Sequence, residues 1–121
     1  MHSVGVDIIE IDRIQEAVQR WGPRFLRRVF TEAELRTSHA KPARLAGYFA
    51  AKEAVMKTLG TGARGVGWRE IEILSDRRGK PLVFLYGNAQ HRAEVLGLGG
   101  LAISLSDSRD YAVAFVVGDV K

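Results

Sequence analysis

Apolar and polar positions along this chain repeat with two different steps, and the switches between them mark out its elements. From Ser3 to Ile9 the step is two: Val4, Val6 and Ile8 share one face, and Gly5, Asp7 and Ile9 take the other, as in a strand. From Asp12 to about Trp21 the step lengthens to three and four. Ile14, Val18 and Trp21 form the apolar stripe of a helix that Asp12 is placed to cap. Gly22-Pro23 ends it, and Arg24 to Val29 is a short helical or irregular piece. Thr31-Glu-Ala-Glu34 has the capping-box pattern that opens another short helix. Lys41-Pro42 then breaks the chain.

The stretch from Arg44 to Gly62 is the centre of the pattern. Its interior is Ala, Leu, Met, Lys and Glu, all good helix formers, and Gly60 stands where a left-handed cap is wanted. Ala46, Phe49, Ala50, Glu53, Met56, Lys57 and Gly60 recur at steps of three and four and form one side, expected to be the buried stripe. Beyond it Arg69 to Leu74 alternates as a strand, Asp76 to Pro81 is a turn, and Leu82 to Tyr86 is the second strand of a hairpin. Asn88 is placed to cap a helix through Val95 or Leu96, which Gly97 to Gly100 terminates. Leu101 to Ser106 and Tyr111 to Val117 read as two further strands around the turn Asp107 to Asp110. The sum is an α+β fold, one domain over residues 1–121, with an antiparallel sheet against a long central helix.

Composition narrows the class. The chain has 121 residues, 46% hydrophobic and 26% charged, as in an ordinary globular protein with one modest core. No apolar run approaches 18 residues and the start is not signal-like, so neither membrane insertion nor export is expected. Cysteine is absent, which removes disulfides, thiolate metal sites and a cysteine nucleophile and fits a reducing cytoplasm. The net charge is +4. Between Arg13 and Arg44 eight Lys and Arg stand against three acids, a surface that would attract a polyanion or an acidic protein.

Three residues carry candidate chemistry. Glu53 and Lys57 lie on a mostly apolar helix side, where charge needs a partner or a ligand, although Glu and Lys at this spacing also form the commonest surface ion pair on a helix. Asp7 has apolar neighbours on both sides within a strand, and calls for a partner or a metal unless it caps the helix that follows. Gly60-Thr-Gly-Ala-Arg-Gly65 fits G-x-G-x-x-G formally, but it follows a helix and leads toward a strand, the reverse of a dinucleotide-binding turn. It remains a loop whose amides could approach a phosphate. The histidines have no second histidine at ligand spacing, and no Gly-x-Ser-x-Gly elbow exists.

Taken in order, Gly5-Val-Asp-Ile-Ile-Glu-Ile-Asp-Arg-Ile14, Arg24 to Leu35, Arg44 to Gly62, Glu70 to Leu74, Gly79-Lys-Pro81 and Ile103 to Ala114 resemble the bacterial holo-acyl-carrier-protein synthases, the small 4′-phosphopantetheinyl transferases. Gly-x-Asp followed about 45 residues later by Lys-Glu-Ala-x-x-Lys is the most specific part. The family moves the phosphopantetheine arm of coenzyme A to a serine of an apo acyl carrier protein and releases adenosine 3′,5′-bisphosphate, in fatty acid biosynthesis or a related carrier pathway. The resemblance implies that Asp7 and Glu53 hold Mg²⁺, that Glu53 also accepts the serine proton, directly or through water, and that Lys57 reaches the pyrophosphate. It implies that Gly60 and Gly62 lie beside the site, and that Lys80, Pro81, Ser106, Asp107 and Ser108 meet the nucleotide end of coenzyme A. Arg13, Arg20, Arg24, Arg27 and Arg28 would dock an acidic carrier protein. A homotrimer with active sites between subunits is implied too. Many members have histidine where this chain has Asp107 and arginine where it has Tyr48, so the nucleotide contacts are where it departs from its family. The alternatives are a non-enzymatic or weakened paralogue that binds coenzyme A or carrier protein, and a nucleic-acid-binding module, for which only the basic balance speaks.

Overall fold

The computed structural model describes residues 1–62 and 64–121; Ala63, inside the glycine-rich exit of the central helix, lies outside them. Strand β1 (His2–Glu10) leads into helices α1 (Ile11–Trp21), α2 (Pro23–Val29) and α3 (Glu32–Ser38), then the 18-residue helix α4 (Pro42–Leu59). A 3-10 turn (Trp68–Glu70) precedes the hairpin β2 (Ile71–Ser75) and β3 (Pro81–Leu85), followed by α5 (Gly87–Leu96), β4 (Leu98–Asp107) and β5 (Tyr111–Val120). The fold is α+β. Strands β1, β5 and β4 form one antiparallel sheet in that order, and β2 and β3 form a second.

Helix α4 lies on the larger sheet because both surfaces are made of small residues. Gly5, Ala112, Ala114 and Gly118 face it from β1 and β5, and Ala46, Ala50, Ala51 and Ala54 are fully buried on the helix. At Gly5 the fit is closest. A Cβ there would strike the Ala54 carbonyl oxygen and stand 2.6 Å from Thr58 Oγ1. Gly5→Ala therefore has to push α4 off the sheet. Overpacking of this kind costs about 1–3 kcal/mol, and a matching fall in the urea midpoint is expected.

Burial differs from the expected stripe. Helix α4 is covered around most of its circumference: Leu45, Tyr48, Lys52, Val55 and Leu59 are buried as well as Ala46, Ala50 and Met56. Phe49 and Glu53 are half-buried, and Lys57 and Gly60 exposed, so these four mark a boundary of the buried surface rather than its middle. Strand β1 turns its more apolar face outward. Val4, Val6, Ile8, Tyr111 and Phe115 are each 45–61% exposed, while Gly5 and Ile9 are buried against α4.

Several boundaries also move. Glu10, not Asp12, is the N-cap of α1; the Ile11 amide donates to the Asp110 carbonyl (2.9 Å), and Asp12 stands in the first turn, where a negative charge is still favourable. Trp21, assigned to the apolar stripe, is 52% exposed. Pro42 begins α4 rather than breaking the chain ahead of it, a position where its missing N–H is no loss. Arg69 belongs to the 3-10 turn. The amide of Asn88 is held by the Glu70 carboxylate (2.7 Å), so an acid from outside α5 does the capping that Asn88 was placed to do. Gly97 does cap α5, but β4 starts at once and runs through Gly99 and Gly100 with an irregular register. The capping box of Thr31 and Glu34 and the left-handed cap at Gly60 stand where they were placed.

Candidate active site

Strand β1 and helix α4 bring Asp7, Glu53 and Lys57 together. Asp7 faces the helix because it shares the parity of Gly5 and Ile9 and pairs with Ala114, whose small side chain leaves it room. Glu53 and Lys57 are one turn apart on the flank of α4 nearest that strand. Lys57 Nζ donates to the Val6 carbonyl (2.8 Å) and to Asp7 Oδ1 (3.3 Å). The Asp7 side chain is only 12% exposed, that of Lys57 53%. Glu53 and Asp7 both line a cavity of about 310 Å³ whose walls include Arg13, Ile14, Phe25 and Phe49. Phe49 is held in that wall by stacking on Trp68, centroids 4.8 Å apart.

The charge state of Glu53 follows from this placement. Burial raises its pKa above the ordinary 4.5, and the Asp7 charge and a hydrogen bond with Asp7 raise it further; Lys57 and Arg13 oppose them. Two carboxylates thus share a site that favours a proton on one of them. A raised carboxyl pKa contributes stability that is complete below the unfolded value and is lost as pH rises through the folded one. Glu53→Gln, which stays neutral at every pH, escapes that loss. In metal-free buffer its melting temperature should match that of the parent near pH 4 and exceed it at pH 7 to 8. Thermal unfolding across that range checks the sign, and a variant less stable at pH 8 would refute it.

A second charged cluster was missed from the sequence. Lys52, beside Glu53, is fully buried, and its Nζ donates to Glu34 Oε1 (2.8 Å), the Trp68 carbonyl (2.9 Å) and the Ile71 carbonyl. Burial pulls the Lys52 pKa down, against the Glu34 charge and hydrogen bond. Glu34, also fully buried, accepts from the amides of Thr31 and Ile73 (both 2.8 Å). The only sequence signal was the capping box, which explained Glu34 by one of its three contacts.

The other expected site residues divide between places. Gly60 and Gly62 follow Lys57 at the C-terminal end of α4. Gly79, Ser106 and Asp107 line a separate cavity of about 460 Å³ with Arg44 and Tyr48, from the N-terminal half of α4. Arg44 and Lys57 are about 20 Å apart along the helix at 1.5 Å per residue. Lys80, Pro81 and Ser108 belong to the hairpin and the β4–β5 turn and do not line the Asp7 cavity. Arg13, Arg20, Arg24, Arg27 and Arg28 are exposed along α1 and α2. Arg24 and Arg28 border a cavity of about 390 Å³ with Trp21 and Phe25, and Phe25 also lines the Asp7 cavity. Among the described residues no three His, Cys, Asp or Glu converge as a metal cluster.

A family model for the 4′-phosphopantetheinyl transferase superfamily matches residues 3–116. The chain belongs to that superfamily. Among curated relatives, the holo-[acyl-carrier-protein] synthase of Herpetosiphon aurantiacus is 54% identical, with 98% of each chain covered. That of Solidesulfovibrio magneticus is 49% identical over 97% of each. Among solved structures, Helicobacter pylori holo-[acyl-carrier-protein] synthase in complex with coenzyme A superposes with TM-score 0.88 at 30% identity, covering 96% of this chain and 99% of that one. The Chronobacterium ammoniagenes complex with coenzyme A gives 0.86 at 32%, covering 100% and 98%.

Proposed function

We infer that this 4′-phosphopantetheinyl transferase moves the phosphopantetheine group of coenzyme A to a serine of an apo acyl carrier protein, releasing adenosine 3′,5′-bisphosphate. The observation that carries this reading is the Asp7–Glu53–Lys57 group at the edge of an open cavity, in a chain whose full-length relatives are holo-acyl-carrier-protein synthases. Incubation with coenzyme A, Mg²⁺ and a panel of apo carrier proteins should add the phosphopantetheine mass to the carrier serine. No added mass on any carrier would sink the reading.

Asp7 and Glu53 fit Mg²⁺. They offer only oxygen donors, face each other, and open to solvent on one side, and this ion takes one or two carboxylates with the rest of its shell from phosphate and water. Bound there it would neutralise charge on the departing pyrophosphate oxygen. Glu53 would accept the serine proton, directly or through water. Lys57 offers its ammonium to the pyrophosphate from one turn further on. The exposed arginines of α1 and α2, with Trp21 and Phe25 between them, lead from a basic surface to the Asp7 cavity and suit an acidic carrier protein, Phe25 lining both cavities and Arg13 the one at Asp7.

Two features support a homotrimer with the site between subunits. The nucleotide candidates Lys80, Pro81, Ser106, Asp107 and Ser108 lie away from Asp7 and Glu53 within one chain, so a neighbour is better placed to supply them. The outer face of the larger sheet is the second: Val4, Val6 and Ile8 pair with Val117, Phe115 and Val113 in a continuous apolar surface. Phe115→Lys should shift the protein to monomer in analytical ultracentrifugation and remove transfer with it. A variant that stays associated and active would place the interface elsewhere. The same reading puts the enzyme in the cytoplasm, serving fatty acid biosynthesis or a related carrier pathway.

A further inference from the structure

Lys57 is bound in a way that the transfer reaction does not by itself require. Its ammonium is engaged by the Val6 carbonyl at 2.8 Å and by Asp7 Oδ1 at 3.3 Å, both contacts within the chain itself. Asp7 cannot follow a moving partner, because its backbone is fixed between α4 and β5 and its side chain is only 12% exposed. Lys57 can leave: its side chain is 53% exposed on a flexible four-carbon stem. Glu53 completes the group from the same helix, and Arg13 adds positive charge to the lining of the cavity.

We propose that Lys57 and the divalent cation compete for the Asp7 carboxylate, so that metal binding releases the Lys57 ammonium to the phosphate of the donor. The proposal rests on the metal reading given above. A dication beside Asp7 and Glu53 places like charge within a few ångströms of the ammonium, and the repulsion falls on the one member of the group free to swing away. Once released, the ammonium has lost a carboxylate partner, and a donor phosphate replaces it with two or more anionic oxygens. Lys57 thereby couples two binding events. Metal makes the lysine available to coenzyme A, and coenzyme A, by holding the lysine outward, removes the competitor of the metal; by linkage the two effects are equal.

The test needs no carrier protein and no turnover. Mg²⁺ is titrated calorimetrically into the full chain, with and without saturating coenzyme A, for the parent, Lys57→Met and Lys57→Gln. The parent should bind Mg²⁺ more tightly when coenzyme A is present. Both variants should bind Mg²⁺ about tenfold more tightly than the parent in the absence of coenzyme A, and should lose most of the gain that coenzyme A gives. Glutamine can still donate to the Val6 carbonyl, so a parent-like result with Lys57→Gln alone would trace the effect to that hydrogen bond and overturn the exchange. Unchanged or weaker metal binding in the variants, or a coupling that survives them, overturns it as well. If neither parent nor variants bind Mg²⁺, the metal reading itself fails, and the proposal with it. Melting curves of all three proteins confirm that folded chains are compared.

Discussion

Glu34→Gln should destabilise the chain at neutral pH by about 3–5 kcal/mol or more. The substitution keeps the size of the side chain and removes its charge, in a place from which water is excluded. Lys52 would then carry a buried ammonium with two carbonyls but no anion. Losing one partner of a buried ion pair costs about 3–5 kcal/mol, because the remaining charge is left uncompensated. The amide adds a second problem. Glu34 accepts at both oxygens, from Lys52 and the Thr31 amide at one and from the Ile73 amide at the other, so the new NH₂ group must face a donor whichever way it turns. A domain of this size has about 5–15 kcal/mol in total, so these losses are a large share of it and the urea midpoint should fall steeply. Far-ultraviolet circular dichroism in urea measures the effect. Glu34→Leu with Lys52→Met together should be more stable than either change alone, because the pair is removed rather than broken. A Glu34→Gln protein with the parental midpoint would show that the pair holds nothing. The site depends on it indirectly: Lys52 ties α4 to the 3-10 turn and β2, and Glu53 is the next residue along.

That pair also shows where reading the sequence stops. Lys52 sits in a run of alanines, and alanine is compatible with any side of a helix. A helix buried nearly all round therefore carries no contrast from which to find its inner face, and the stripe through Phe49, Glu53 and Lys57 traced its edge instead. The partner of Lys52 lies 18 positions away in another helix, beyond any periodicity. Strand β1 raises a related ambiguity. A period of two states which residues share a face but not which face is covered, and here the more apolar face is the exposed one. Signals that depend on a few adjacent residues fared better: the capping box at Thr31 and the glycine at position 60 stand as expected, and the turn opening at Asp76 does too, ending one residue early because Pro81 already belongs to β3; each satisfies its own backbone locally. Asp7 and Glu53 came from the conflict between a charge and its apolar neighbours. Two separate conflicts of that kind meet at one cavity, which neither could have announced alone.

The same meeting of carboxylates sets the largest effect expected on activity. Glu53→Gln should lower the rate of transfer to carrier protein by about 10²–10⁴-fold, the range for loss of a positioned acid or base, while the chain stays folded. Glutamine preserves the shape of the side chain and, beside Asp7, stays neutral where burial and the Asp7 charge already disfavour a second anion. It cannot become an anion, so it can neither accept the serine proton nor contribute charge to a divalent cation. Stability and activity should therefore move in opposite directions: the apo variant melts higher at pH 7, and transfer falls. Mg²⁺ separates the causes. The parent should gain thermal stability as Mg²⁺ is added, by the logarithm of its saturation, and the variant should gain little. If the variant keeps the full Mg²⁺ response and loses only transfer, Glu53 acts through the proton alone and Asp7 carries the metal. If it transfers at the parental rate, the conflict that singled out Glu53 is an accident of packing, and the chemistry of this cavity must come from Asp7 and Lys57.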